Sequence, residues 1–206
     1  MDQLPLYQDL FLVCHHENGK PIIHRSSISL GLAGAVLIDL ALAARLALTQ
    51  GRIAVTDATP TGDPILDASA ALPTEDARVW AKKVAATVYD RTQQQLVASG
   101  VLKAVSSRRL GLLPYTSYRA EMASIVRASA DLRSVAGGWR EADARCAALC
   151  GLVVVLQVHT ELYINQPPGQ LGTTLRGVAD GHSPLVKDLV ALVDTLVGDA
   201  AVAVYR

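Results

Sequence analysis

The chain has 206 residues, 19 of them basic and 19 acidic, so its formal net charge is zero. That balance excludes the broad basic field needed for sequence-independent binding of nucleic acid, although it leaves room for a local patch. Half of the residues are hydrophobic but only 4% are aromatic, which predicts a core of Leu, Val and Ala large enough to stand without disulfide staples.

The three cysteines, Cys14, Cys146 and Cys150, read as buried reduced thiols of a cytosolic protein. The start MDQLPLYQDL is too polar for a secretory signal and lacks a basic first segment. No stretch reaches the ~18 uninterrupted apolar residues of a membrane span. Any membrane contact is therefore expected to be peripheral, on the inner face and from a cytoplasmic location. With no internal repeat and no clean linker, one domain is expected.

In chain order, Leu4 to His15 reads as a helix with Leu6, Leu10 and Phe11 inward. The run His15-His16-Glu17-Asn18-Gly19-Lys20 reads as a solvated turn. Its adjacent histidines diverge and lack further ligands, so no metal is expected. Pro21 to Ser27 is an extended entry containing His24 and Arg25, with Ser26 or Ser27 as cap. Ile28 to Leu48 follows as a helix apolar nearly all round, which predicts burial. Gly31 and Gly34 share a face that would let another helix come close. Asp39, inside that run, needs a donor from elsewhere if buried, and Arg145 is the candidate. Gly51 reads as the helix stop, GRIAVTD as a short strand and TPTGDP as a turn, with Asp63 capping a helix that begins at Pro64.

A long helix is expected from near Thr74 to Ser99-Gly100. Ala77, Trp80, Val84 and Val88 face inward, and Arg78, Lys82, Ala86 and Tyr89 lie on another face. Val101 to Leu113 reads as a hairpin turning at Ser106-Ser107-Arg108, with Arg108, Arg109 and Leu110 at or near its tip. Such a tip suits an anionic membrane, a nucleic acid or another protomer. Pro114 to Tyr118 reads as a loop. Ala120 to Val135 reads as an amphipathic helix with Met122, Ile125, Val126 and Leu132 inward and Arg127 and Arg133 outward. Glu141 to Tyr163 reads as a second very apolar helix, the packing partner of residues 28–48, with His159 a hydrogen-bonded residue rather than a ligand. Asn165 to Gly181 is rich in Gly and Pro and reads as a loop, Pro184 to Val197 as a closing helix, and Ala200 to Tyr205 as an apolar tail that docks. The fold class is mainly α: a helical bundle with buried central helices, amphipathic outer helices and a small β-hairpin.

The segments ISLGLAGAVLIDLALAARL and DATPTGDPILD, with LYQDLFL before them, QQQLVASGVL after them and, more loosely, ADARCAALC, occur in an order similar to the core signature of the Golgi phosphoprotein 3 family. The resemblance covers most of the chain. It implies a largely helical fold with a protruding hairpin implicated in self-association. It also implies peripheral binding to membrane through phosphatidylinositol 4-phosphate and, in eukaryotic relatives, the holding of glycosyltransferase tails. The family's headgroup contacts are not kept: its aromatic falls at His24, and its three arginines fall at Ala33, Ala86 and Tyr89. A phosphate needs several donors, and arginine supplies them best. Nearby substitutes are Arg25, Lys82 and Arg91, so the candidate anion-binding set is His24, Arg25, Lys82, Tyr89 and Arg91. The Ala/Val/Arg-rich composition suggests GC-rich coding and a bacterial member, for which a Golgi role has no meaning.

The expected function is a non-enzymatic adaptor that contacts an anionic phospholipid headgroup or membrane surface, with an unassigned protein partner and self-association through the hairpin. The alternative is a nucleic-acid- or protein-binding regulator using the basic hairpin, since the element order loosely echoes a winged helix. Zero net charge and the lack of a polar recognition helix oppose the nucleic-acid version. No nucleophile–base pair, metal set or cofactor loop is present to suggest an enzyme.

Overall fold

The computed structural model describes residues 4–73, 76–109, 113–162, 164 and 166–204, with backbone only for 106–109, 113–115 and 201–204. Among these the fold is mainly α. In order come α1 (Leu6–Val13), α2 (Arg25–Leu42), β1 (Leu46–Thr49), β2 (Arg52–Val55), α3 (Pro64–Ala70), α4 (Ala77–Ala98), β3 (Leu102–Arg109), β4 (Leu113–Ala120), α5 (Met122–Ala136), α6 (Ala144–Val155), α7 (Pro168–His182) and α8 (Pro184–Val204). The strands form two separate antiparallel pairs, β1 with β2 and β3 with β4.

Helix α2 is the axis of the fold. By length and composition it could cross a membrane. Instead its residues from Ile28 to Ile38, together with Leu40, are buried, and α1, α4, α6 and α8 pack around it. The expected small-residue face is present. A Cβ on Gly34 would fall 2.2 Å from Val193 Cγ2 of α8, and one on Gly31 would fall 2.6 Å from Leu156 Cδ1, just past α6. The hydrogens at these two positions therefore set how closely the neighbours approach. The apolar 144–155 helix does touch α2, as expected, but α4 and α8 cover more of it. The core is aliphatic, with Trp80, Tyr7 and Phe11 its largest buried rings, and all three cysteines are buried and unbridged.

Several boundaries differ from the sequence reading. Helix α2 starts three residues earlier, at Arg25, and His24 caps it by accepting from Ser26 N. It stops at Leu42 rather than Leu48, because Ala44 turns left-handed (φ 55°) and Arg45 N closes on Leu40 O at 2.8 Å. Gly51 is no helix stop. With Gln50 (φ 50°) it forms the two-residue positive-φ turn of a β1–β2 hairpin whose last pair is Thr49 and Arg52. The second hairpin is longer than expected: β4 runs through residues 113–120, including the presumed loop. Residues 106–108, the expected turn, are in β3, while Leu110 lies outside the described residues.

Within the stretch expected to be a loop, residues 168–181 are helical. Pro168 occupies the first turn of α7, and Leu171, Leu175 and Ala179 form a buried stripe at helical spacing. Helix α6 ends at Val155, and Gln157 (φ 58°) leads into a single 3-10 turn at Val158–Glu161. Helix α5 is rotated from its expected orientation. Ser124, Ala128, Leu132 and Val135 are buried, whereas Met122 and Val126 are 50% and 40% exposed. Helix α8 continues past Val197 to Val204.

Several polar groups in the interior are paired, whereas Thr92 Oγ1 is buried with no partner among the described residues. Asp39 does not meet Arg145. Its carboxylate accepts from Leu6 N (3.1 Å) and Tyr7 N (3.3 Å), satisfying the start of α1, where Pro5 offers no side-chain cap. Arg145 instead donates to Asp9 Oδ2 and Leu4 O, each at 2.6 Å. Asp63 caps α3 through Ile65 N (2.8 Å) and Leu66 N (3.0 Å), and also accepts from Tyr7 Oη (2.7 Å) and Gln95 Nε2 (2.9 Å). With that carboxylate consumed and Thr61 bonded to Asp67, the TPTGD turn is structural, as expected.

Candidate functional site

The start of α2, the middle of α4 and the end of α8 enclose an open cleft of about 620 Å3. Lys82, Ala85, Ala86 and Tyr89 recur at offsets of three, four and seven, so one face of α4 presents all four to it. His24, Arg25, Ser26, Ser29 and Leu30 form the α2 wall, and Leu196, Asp199 and Ala200 the α8 wall.

The positions of these side chains follow from their partners. His24 is held at the helix cap, its Nδ1 3.3 Å from Ser26 N and 2.7 Å from Ser26 Oγ. The Arg25 guanidinium lies 4.2 Å from the centre of the Tyr89 ring and makes an ion pair of 2.5 Å with Asp90. This stacks a cation over an aromatic face while leaving the guanidinium about half exposed. The Tyr89 hydroxyl reaches away from the cleft, 2.7 Å from His15 Nε2. His15 Nδ1 is 2.6 Å from Phe11 O, which can only accept. Nδ1 therefore carries the proton, Nε2 accepts, and the Tyr89 hydroxyl donates. Phe11 stacks on the imidazole at 4.2 Å between centroids. Burial lowers the His15 pKa to about 4 and raises that of Tyr89, so both are neutral at pH 7 and their hydrogen bond fixes the ring beneath Arg25. His15 was expected on a solvated turn. Its burial under Tyr89 overturns that, while His16 is exposed.

The charges around the cleft nearly balance. Lys82 is exposed and has no ion-pair partner among the described residues, and Arg25 is shared with Asp90. Asp199 contributes an opposing charge, moderated by Arg78 at 3.8 Å. Among the described residues, an entering anion would meet one cation without an ion-pair partner, one cation it must share, and a largely apolar floor.

Four of the five residues chosen from sequence, His24, Arg25, Lys82 and Tyr89, line this one cleft. Arg91 does not. Two residues beyond Tyr89 on a helix, it points to another side, where its Nη2 donates to Pro64 O at 2.9 Å and ties α4 to α3. Arg108 and Arg109 are the last two residues of β3, and their side chains lie outside the described residues. The α8 wall was missed altogether. The spacing of Leu189, Val193, Leu196 and Ala200 carried a signal that the helix runs past residue 197 and brings Asp199 with it.

The sequence model of Golgi phosphoprotein 3 (GPP34) matches residues 6–195 of the chain. The chain belongs to the Golgi phosphoprotein 3 family. No curated protein matches it significantly. The matched span of this Golgi phosphoprotein 3 family member contains the α2 and α4 walls of the cleft, whereas Leu196, Asp199 and Ala200 lie just beyond it. Among the described residues no group of three or more His, Cys, Asp or Glu is placed to hold a metal ion.

Proposed function

We propose that the protein is a non-enzymatic, peripheral membrane adaptor that seats an anionic phospholipid headgroup in the α2–α4–α8 cleft, acting from the cytoplasm at the inner membrane face. The observation that carries this reading is the convergence of His24, Arg25, Lys82 and Tyr89 on one open cleft within a member of the Golgi phosphoprotein 3 family. Lys82 supplies an ammonium with no ion-pair partner among the described residues, Arg25 a guanidinium with half its surface in water, and Ser26 and Ser29 short hydroxyls. These groups suit a headgroup that presents one phosphate group to the cleft, with the apolar floor under its ring or glycerol. The arginine-poor lining and the nearby Asp90 and Asp199 make the interaction weaker than a cluster of arginines would give. Self-association through the β3–β4 hairpin belongs to the same reading.

Co-sedimentation with vesicles tests it. Phosphatidylcholine vesicles doped with phosphatidylinositol 4-phosphate or phosphatidylserine should retain the protein at low salt and release it as salt rises, because exposed charges are screened over about 10 Å at 0.1 M. Lys82→Glu reverses a charge near the surface, where each is worth about 1 kcal/mol, and should lower retention by at least tenfold. Absence of retention at low salt, or equal retention of the variant, would remove the reading.

A further inference from the structure

The α2–α4–α8 cleft holds charges of both signs. Arg25 on α2 and Lys82 on α4 line it together with Asp199 on α8. Leu196, Asp199 and Ala200 lie at offsets of three and four, so one face of α8 presents this carboxylate to the cleft. Asp199 pairs with neither cation of the lining. Among the described residues its ion-pair partner is Arg78, outside the lining, at 3.8 Å and with both side chains more than half exposed. A contact that loose contributes little and yields readily. Building on the headgroup reading above, we propose that the headgroup is that of an aminophospholipid, with its phosphate on Lys82 and Arg25 and its ammonium on Asp199.

Opposite charges that line one open cleft without pairing leave room for a ligand between them. A purely anionic headgroup is drawn by Lys82 and Arg25 but opposed by Asp199. A headgroup with an ammonium beside its phosphate turns that opposition into a contact. The helix ends run the same way. Arg25 and Ser26 are in the first turn of α2, where partial positive charge favours a phosphate. Asp199 is near the end of α8 at Val204, where a carboxylate is disfavoured and a cation is welcome. A bound ammonium therefore supplies what Arg78 supplies only loosely.

The same pair of charges occurs on free phosphorylated amino alcohols. The apolar part of the lining, Leu30, Ala85, Ala86 and Leu196, selects the lipid, because the glycerol and first methylenes of a lipid can cover it.

Vesicle co-sedimentation at low salt decides it, with phosphatidylserine or phosphatidylglycerol doped equally into phosphatidylcholine. Each dopant carries one net negative charge, so the surface fields match, and the extra carboxylate of serine can stay in water at the open mouth. The parent should be retained about threefold more strongly on phosphatidylserine, the scale of one exposed ion pair. Asp199→Asn should lower retention on phosphatidylserine and raise it on phosphatidylglycerol, erasing the preference. Asp194→Asn makes the same charge change on α8 at a half-exposed position outside the lining and should keep the preference. In isothermal titration of the full chain, glycerophosphoserine should bind more tightly than free O-phosphoserine. Equal retention of the parent on the two lipids, a preference that survives Asp199→Asn, or one lost equally in Asp194→Asn would overturn the proposal and leave the headgroup reading standing. Free O-phosphoserine binding as tightly as glycerophosphoserine would overturn the lipid as its source. No retention on either lipid would remove both readings.

Discussion

The two sides of α2 are held by different physics. Toward α8 the contact is dry: Gly34 meets Val193, and neighbouring α6 uses Gly151 against Val190 in the same way. Shape alone sets the distance. Toward α1 the contact is partly polar: Asp39 of α2 holds the start of α1, and the same polar seam continues around α1 with Arg145 of α6 on Asp9, Tyr7 on the α3 cap Asp63, and His15 on Tyr89 of α4. A dry contact fails when volume is added, and a polar seam fails when one partner is removed.

The seam should be the more fragile side. Arg145 and Asp9 are 17% and 10% exposed, and Asp9 has its pKa raised by burial that Arg145 only partly offsets. Arg145→Met leaves that carboxylate alone, and the expected loss is about 3–5 kcal/mol in urea denaturation at pH 7. On the dry side, Gly34→Ala places a methyl where Val193 already lies, and overpacking of this kind costs roughly 1–3 kcal/mol. The double variant Gly34→Ala/Val193→Ala should recover most of it, whereas Val193→Ala should do nothing for Arg145→Met.

A pH series sharpens the contrast within the seam itself. Burial raises the Asp39 pKa to about 7, against the two N–H bonds from α1. The folded state therefore prefers the protonated acid, so this stability is complete below about 4 and fades as pH rises toward 7. His15 works the other way. With its folded pKa lowered to about 4, its contribution is complete above about 6.5 and fades as pH falls toward 4. Between pH 4 and 6.5 the two slopes oppose. Asp39→Asn should unmask a stability that rises across this window by roughly 3 kcal/mol, and His15→Gln one that falls by a smaller amount, since Asp39 is partly exposed. Parallel slopes in the two variants would contradict the assignment. The smallest stability effect should be that of Lys82→Glu, which touches neither side and should stay within about 0.5 kcal/mol of the parent.

How much of this could be read from the sequence follows from which features were local. The buried run 28–40, the Asp63–Pro64 cap and the inward set Ala77, Trp80, Val84 and Val88 were legible because periodicity and capping act within a few residues. Helix α7 was not: Gly169, Gly172, Gly177 and Gly181 argue against a helix, and only the buried stripe on Leu171 and Leu175 overrides them. The end of α2 was hidden because Ala43 and Ala44 give no stop signal and the β1–β2 pairing draws the chain away. In the cleft, α4 could be placed because its lining residues share one helix face. Asp199 depended on where α8 returns in space, and His15 on a hydrogen bond to a residue 74 positions away. Arg91 shows the limit of proximity in sequence, since two residues along a helix is nearly the opposite side.

The most direct test of the central claim is a crystal structure with the soluble headgroup glycerophosphoinositol 4-phosphate. The account predicts the 4-phosphate within hydrogen-bonding distance of both Lys82 Nζ and the Arg25 guanidinium, with Tyr89 still bonded to His15. A headgroup bound elsewhere on the surface, or an empty cleft at saturating concentration, would contradict it.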